Sequence, residues 1–251
     1  MLDNLTQINN KDLYCFSVEK KFTSRKNNVF LVKTNSLDQN QKYLVYKEYS
    51  RPDRMPKEVK MLSLLKEKGA PVPRVYGVGG NYILLEYLEG PLFIDYFFWQ
   101  ESVSGSENSS LKGPTYQSIY SLCCWFKDFY AMSKAIAGRQ LIMGDVNFRN
   151  FIIRERIYGI DFEECREGRM EEDIGSLCAF GLTYSPPFSP WKIAMIGELF
   201  QIFSSELGLD KELVKQEILR ELLFLSKRRG VLQETLKLLV SNLLESSTYF
   251  S

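Results

Sequence analysis

Residues 141–162, LIMGDVNFRNFIIRERIYGIDF, constrain this chain more than any other stretch. They set Asp145, Asn150 and Asp161 in a loop, a strand, a turn and a return strand, with apolar residues 151–153 and 157–160 as the two strands. Asp145 follows an apolar run and Gly144. Asn150 stands five positions on, at the start of the first strand, and Asp161 closes the second. Such a unit brings three oxygen-bearing side chains to one edge. Carboxylate and amide oxygens suit Mg²⁺, a hard cation that keeps most of its waters and takes one or two protein carboxylates plus substrate phosphates. A solvated hairpin that carries two Asp and one Asn is the alternative, and the rest of the chain decides between them.

The composition excludes several classes. With 251 residues, 45% of them hydrophobic, the chain can bury a full core as one large domain or two small lobes. Its 32 basic and 31 acidic residues give a net charge of +1, which exerts no global pull toward nucleic acid or an anionic membrane. No run approaches the length of a membrane span and the first residues lack a secretory apolar core, so a soluble, cytoplasmic protein is expected. Five cysteines without a C-x-x-C pair speak against a disulfide framework or a zinc site. Histidine is absent, which rules out histidine-based hydrolysis, histidine-ligated zinc and a histidine general base.

Residues 13–20 and 29–33 favour strands, and the turn 21–28 between them contains no glycine. Asn27 and Asn28 tolerate the left-handed conformation, so the turn can meet phosphate oxygens through its amides with Ser24, Arg25 or Lys26, or stand as a plain exposed hairpin. Residues 43–49, YLVYKEY, alternate in strand fashion and put Val45, Lys47 and Tyr49 on one face. A lysine among apolar neighbours needs an anionic partner, because burying an unpaired ammonium is expensive. Pro56 opens a helix that closes at Gly69, with Glu58, Leu62 and Leu65 on one stripe. Strands are expected over 74–78 and 82–87, after which LLEYLEGPL leaves the sheet. Residues 93–99 read as a short aromatic helix, 101–114 as a polar Ser/Gly-rich loop and 116–137 as a long buried helix. Helices are then expected over 169–180, 191–204, 211–228 and 231–244.

The D-x-x-x-x-N from Asp145 to Asn150, followed by a hairpin and Asp161-Phe162, resembles the catalytic segment of the protein-kinase-like superfamily. Met143-Gly144-Asp145 and Ile160-Asp161-Phe162-Glu163 are similar to the H-G-D-x-x-x-x-N and I-D-F/W-E motifs of its aminoglycoside and choline phosphotransferase branch. The small atypical kinases linked to tRNA modification share much of this pattern. The likeness runs from about residue 13 to residue 180 and is strongest over 141–163.

The resemblance implies an α+β, bilobal, protein-kinase-like fold. A small antiparallel-sheet N-lobe with one helix would span 1–87 and a mainly α-helical C-lobe 88–251. It implies ATP and Mg²⁺, with Asp145 orienting the attacking hydroxyl and Asn150 and Asp161 holding the metal. It further implies Lys47 on the α- and β-phosphates, Glu58 as its ion-pair partner, Ser24 and Asn27 in the phosphate-covering turn, and backbone groups around Glu86 and Leu88 on the adenine edge. Asp173 resembles the aspartate that accepts hydrogen bonds from the catalytic loop; an acid in the first turn of a helix is also explained by the helix dipole alone. Met143 replaces the usual histidine, Asn147 stands where protein kinases place a lysine, and Arg149 replaces a small residue.

The expected reaction is transfer of the γ-phosphoryl group of ATP to a hydroxyl of a small molecule, and Glu163 with Glu164 would suit a cationic one. Two alternatives stand beside it. One is an atypical Ser/Thr protein kinase or the kinase subunit of an RNA-modifying assembly, for which a basic tail would be expected; the C-terminal LLESSTYFS is not basic. The other is a pseudokinase scaffold, which the glycine-free turn and Met143 favour. The sequence leaves the oligomeric state open.

Overall fold

A computed structural model describes residues 16–34, 42–104 and 114–229. The fold is α+β and forms two compact units. The first holds the described residues up to Gly90 together with Tyr158–Cys165, and the second holds Pro91–Ile157 with the described residues from Arg166 onward.

The first unit is built on a five-stranded antiparallel sheet, β1 (Phe16–Phe22), β2 (Asn28–Thr34), β3 (Tyr43–Glu48), β4 (Val75–Val78) and β5 (Tyr82–Glu86), in the order β1-β2-β3-β5-β4. Alternation sorts β3 onto two faces. Leu44 packs with Val32, Tyr82 and Leu84 on one, and Tyr46 stacks on Tyr82 with ring centroids 4.8 Å apart. Lys47, next on the other face, is opposite Val29 of β2 and Ile83 of β5. Helix α1 (Met55–Glu67) buries Glu58, Val59, Leu62 and Leu65, the stripe its spacing predicts, because residues three and four apart share a face. Gly69, at φ +81°, ends it in a conformation that costs glycine little, with its N–H on Lys66 O at 3.0 Å. The turn after β1 is shorter than expected, because β1 runs on to Phe22 and β2 begins at Asn28.

The second unit is mostly helical: α2 (Phe93–Ser104), α3 (Pro114–Ala137), α4 (Met170–Thr183), α5 (Pro190–Leu207) and α6 (Lys211–Arg229). Aromatic rings fill its core. Phe148 stacks on Phe93 at 5.3 Å and lies 5.0 Å from Phe97, while Phe126 and Trp125 close on Phe151 at 5.4 and 5.1 Å. The aromatic helix expected to end near residue 99 continues to Ser104, so residues 101–104 are helix and not loop. The reason is an anchor 91 residues away: Glu101 receives the fully buried Lys192 ammonium at 2.5 and 2.6 Å, and the Ser189 hydroxyl. Gly175 allows α4 to approach α6 closely, since a Cβ there would lie 2.4 Å from Glu217 Cβ. Two short strands, β6 (Leu141–Ile142) and β9 (Arg166–Glu167), pair antiparallel. Between them β7 (Phe151–Ile153) and β8 (Ile157–Gly159) follow one another across a tight turn, and after Ile157 the chain belongs to the first unit until Cys165.

The helix expected over 231–244, most of the polar segment 101–114 and residues 13–15 lie outside the described residues. No described helix is long and apolar enough to cross a membrane.

Candidate active site

Lys47 is the centre of the first unit's polar cluster. It is 6% exposed, and its ammonium lies 2.7 Å from Glu58 Oε2, 2.7 Å from Asp161 Oδ1 and 3.7 Å from Glu163 Oε2. Burial by itself would lower the Lys47 pKa, but Glu58, Asp161 and Glu163 outweigh it and hold the ammonium above its ordinary range. Glu58, 1% exposed, has both oxygens engaged: Oε2 accepts from Lys47 and from the Tyr49 hydroxyl at 2.5 Å, and Oε1 from the Phe162 N–H at 3.3 Å. Burial raises the Glu58 pKa and the Lys47 ammonium opposes that rise. Burial, and then the Glu58 carboxylate, push the Tyr49 phenol far above its usual value, so it remains a donor.

Asp161, two residues beyond β8, has a left-handed backbone, φ +68°, a region that aspartate occupies more readily than most residues. Glu58, Asp161 and Glu163 each offer a carboxylate oxygen within 4.8 Å of the others. Lys47, with Lys26 3.9 Å from Glu163, faces three carboxylates here, so the cluster keeps an excess of negative charge that a cation would offset. Asp161 is the acid that fits a metal, since its side chain is 42% exposed and only Oδ1 is engaged by Lys47, whereas both Glu58 oxygens are taken.

The glycine-free turn rests on this cluster. Asn27 donates through Nδ2 to Glu163 Oε2 at 2.7 Å, accepts at Oδ1 from the Ser50 N–H at 3.3 Å, and donates its own N–H to Ser24 Oγ at 3.3 Å. Glu164 pairs with Lys26 at 3.1 Å and with Arg54. Glu86, at the end of β5, accepts from Lys66 at 3.1 Å and from the Arg74 N–H at 3.0 Å, and Leu88 is 3% exposed. The side chains of both residues, and the Glu86 N–H on Arg74 O at 2.8 Å, are therefore engaged in the unit's own structure.

In the second unit the loop carrying Asp145 and Asn150 is held from two sides. Phe148 is completely buried against Phe93 and Phe97, and Asn147 caps the 3-10 turn Phe148–Asn150 by accepting from the Arg149 N–H at 2.9 Å. Asn150 donates through Nδ2 to the Asp145 carbonyl at 2.7 Å, which leaves Oδ1 as the amide atom offered to a cation. Upstream, the Met143 and Gly144 N–H groups both donate to Asp173, at 2.8 and 2.9 Å, and the Tyr130 hydroxyl does so at 3.1 Å. Gly144 permits this with φ +81°, since successive amides that alternate hand form an anion-binding nest. Met143 itself is fully buried, so packing and Asp173 brace the loop that lacks a histidine.

Burial pushes the Asp173 carboxyl from 3.8 up to about 6, against the lowering effect of the Gly144 and Met143 amides and the Tyr130 hydroxyl. A folded pKa above the unfolded one means that the native state binds the extra proton between those values. The resulting stability is complete below the unfolded pKa and is lost as pH rises through the folded pKa. Wild type is expected to lose about 2 kcal/mol relative to Asp173→Asn between roughly pH 4.5 and pH 7. Chemical denaturation across that range checks this; a difference that does not vary with pH would mean that Asp173 stays charged throughout.

The structure thus brings together Lys47, Glu58 and Asp161, and Asn27 with Ser24, in the first unit, and Asp145 with Asn150 in the second. Two participants carried no clear sequence signal. Tyr49 was on the Lys47 face by alternation, but its bond to Glu58 was not readable. Glu163 reads in the sequence as the end of the Ile160–Glu163 motif and an acid for a cationic acceptor, yet it is 3% exposed and turned to Asn27 and Lys47.

A five-stranded antiparallel sheet with one helix, whose glutamate pairs with a strand lysine, alongside a mostly helical unit, supports a relation to the protein-kinase-like superfamily. No family model matches the chain. Over 120 residues it is 28% identical to the EKC/KEOPS complex subunit BUD32 of Encephalitozoon cuniculi (strain GB-M1), a match that covers 48% of this chain and 51% of that protein. The chain therefore spans about half the length of the curated relative it matches. That similarity supports the same superfamily and does not single out the aminoglycoside phosphotransferase branch.

Proposed function

We infer that this chain is a kinase-like protein that uses ATP and Mg²⁺, and that it works as an atypical kinase subunit of an assembly of the EKC/KEOPS kind. The observation that carries the ATP-using part is the buried Lys47 ammonium held between Glu58 and Asp161. A lysine so fixed presents a point charge to phosphate oxygens, and phosphoryl transfer depends chiefly on positioning and on neutralising charge. Asp161 is the group of this cluster that we assign to Mg²⁺, which when bound would neutralise charge on the phosphate oxygens. Asp145 is assigned to the acceptor hydroxyl, as the side chain that orients it and takes its proton. The assembly part rests on the similarity to a complex subunit.

A small-molecule acceptor has less support than the sequence suggested. The two acids that would have drawn a cationic acceptor are occupied, Glu163 by Asn27 and Lys47, and Glu164 by Lys26 and Arg54.

Thermal melting tests the nucleotide part. A ligand that binds only the native state stabilises it by mass action, so saturating Mg-ATP is expected to raise the melting temperature more than ATP or Mg²⁺ alone. Identical curves in all three conditions would remove the ATP-using reading. Phosphorylation of generic protein substrates without phosphorylation of amino sugars or amino alcohols is the expected result of an acceptor screen. The reverse would restore the small-molecule kinase.

A further inference from the structure

Turns that cover phosphates commonly use glycine, because without a Cβ the backbone can turn its amides toward a ligand. The turn between β1 and β2 has none, so its shape must come from side-chain bonds. Asn27 supplies three of them: its N–H to Ser24, its Oδ1 from the Ser50 N–H, and its Nδ2 to Glu163. The last is the one that leads into the polar cluster. Glu163 is 3% exposed, lies two residues beyond Asp161 and reaches Lys47 at 3.7 Å with the same oxygen that accepts from Asn27. Ser24 and Arg25 are exposed at the tip, while Lys26 reaches Glu164 at 3.1 Å and the other Glu163 oxygen at 3.9 Å beside the Asn27 bond.

We propose that the Asn27–Glu163 hydrogen bond is a strap that fixes the glycine-free turn relative to Lys47 and Asp161, so that Glu163 is a positioning residue for nucleotide phosphates. This rests on the ATP-using reading of the same cluster. The strap replaces the conformational freedom of glycine with a fixed geometry: the turn is held by a neutral amide donor on a buried carboxylate. It also couples the turn to the Asp161 segment, since Glu163 lies two residues beyond Asp161 and reaches Lys47 with the oxygen that accepts from Asn27. Neither Asn27 nor Glu163 need touch the reacting atoms for this.

The test exchanges donor and acceptor. Asn27→Asp sets two carboxylates against each other, and Asn27→Ala removes the donor. Either is expected to weaken Mg-ADP binding, measured by titration calorimetry, by at least about tenfold, the scale of a lost hydrogen bond to a charged group. The double variant Asn27→Asp/Glu163→Gln puts the acceptor on the turn and the donor on residue 163 without changing the local charge. It is expected to recover affinity to within about threefold of wild type, a scale well below the loss. A merely structural role in the turn would not yield that reciprocal rescue. Binding by wild type that is indifferent to both single variants, or a double variant as weak as the worse single one, would overturn the strap while leaving the ATP-using reading intact. Absence of Mg-ADP binding by wild type would overturn that reading and the strap with it.

Discussion

Replacing Lys47 by Met is expected to destabilise the first unit by about 3–5 kcal/mol, the loss that follows when one partner of a buried ion pair is removed. Glu58 is 1% exposed and its carboxylate would keep only the Tyr49 hydroxyl and the Phe162 N–H as partners. Those are two hydrogen bonds without a counter-ion. Burial already raises the Glu58 pKa, and without Lys47 to oppose it the carboxyl would take up a proton, which limits the loss at low pH. The expected penalty is therefore larger near neutrality than at about pH 5, where the acid is more easily neutralised. Removing both charges behaves differently. Lys47→Met/Glu58→Leu replaces the pair by apolar groups of similar volume, which is often neutral or stabilising. The double variant should thus recover part of the loss, the remainder being the Tyr49 hydroxyl and the Phe162 N–H left without their acceptor. Chemical denaturation of the three proteins decides the matter: a single variant as stable as wild type would mean that the Lys47–Glu58 pair contributes nothing.

Asp145→Asn and Asp161→Asn are each expected to lower turnover by about a hundredfold to ten-thousandfold, the range for removing a positioned acid–base group. Asparagine is chosen at both sites for shape. At position 161 it also tolerates the left-handed backbone at φ +68°, which alanine would strain. The two variants should fail differently. Asp161→Asn removes a negative charge from Lys47, with which Asp161 forms a 2.7 Å bond, and a candidate metal oxygen, so its loss should ease when Mg²⁺ or Mn²⁺ is raised. Asp145→Asn leaves the metal groups untouched and should not respond to metal. Both variants are expected to fold, because the Asp161 side chain is partly exposed and the Asn150 bond in the second unit is to the Asp145 backbone carbonyl, which asparagine at 145 keeps. Wild-type turnover by both would remove their assigned roles.

Local periodicity carried much of this structure. Period-two alternation put Lys47 on one face of β3 with Tyr49, just past its end, on the same side, and the helical stripe Glu58, Leu62, Leu65 put a carboxylate on the buried face of α1; burial agrees with both. Their meeting is a short-range event, eleven residues apart in the chain. What was not legible depends on distant partners. Glu163 is buried because Asn27, 136 positions earlier, reaches it, and nothing in the residues around it signals that. Residues 101–104 look like the start of a polar loop, and become helix because Glu101 meets Lys192. The loop's brace was half legible: Asp173 carried the right position, but Tyr130, on the long helix α3, also turns its hydroxyl to it. Asn147, read only as the replacement for a lysine, proves to be the cap of the turn before Asn150.

Lys47 as the site of nucleotide phosphates is tested most directly by calorimetric titration of Mg-ATP into wild type and into the Lys47→Met/Glu58→Leu protein, which lacks the buried ion pair and keeps Asp161 and Glu163. Saturable, Mg²⁺-dependent binding by wild type and none by the double variant is the expected result. Equal binding by the two proteins would contradict it.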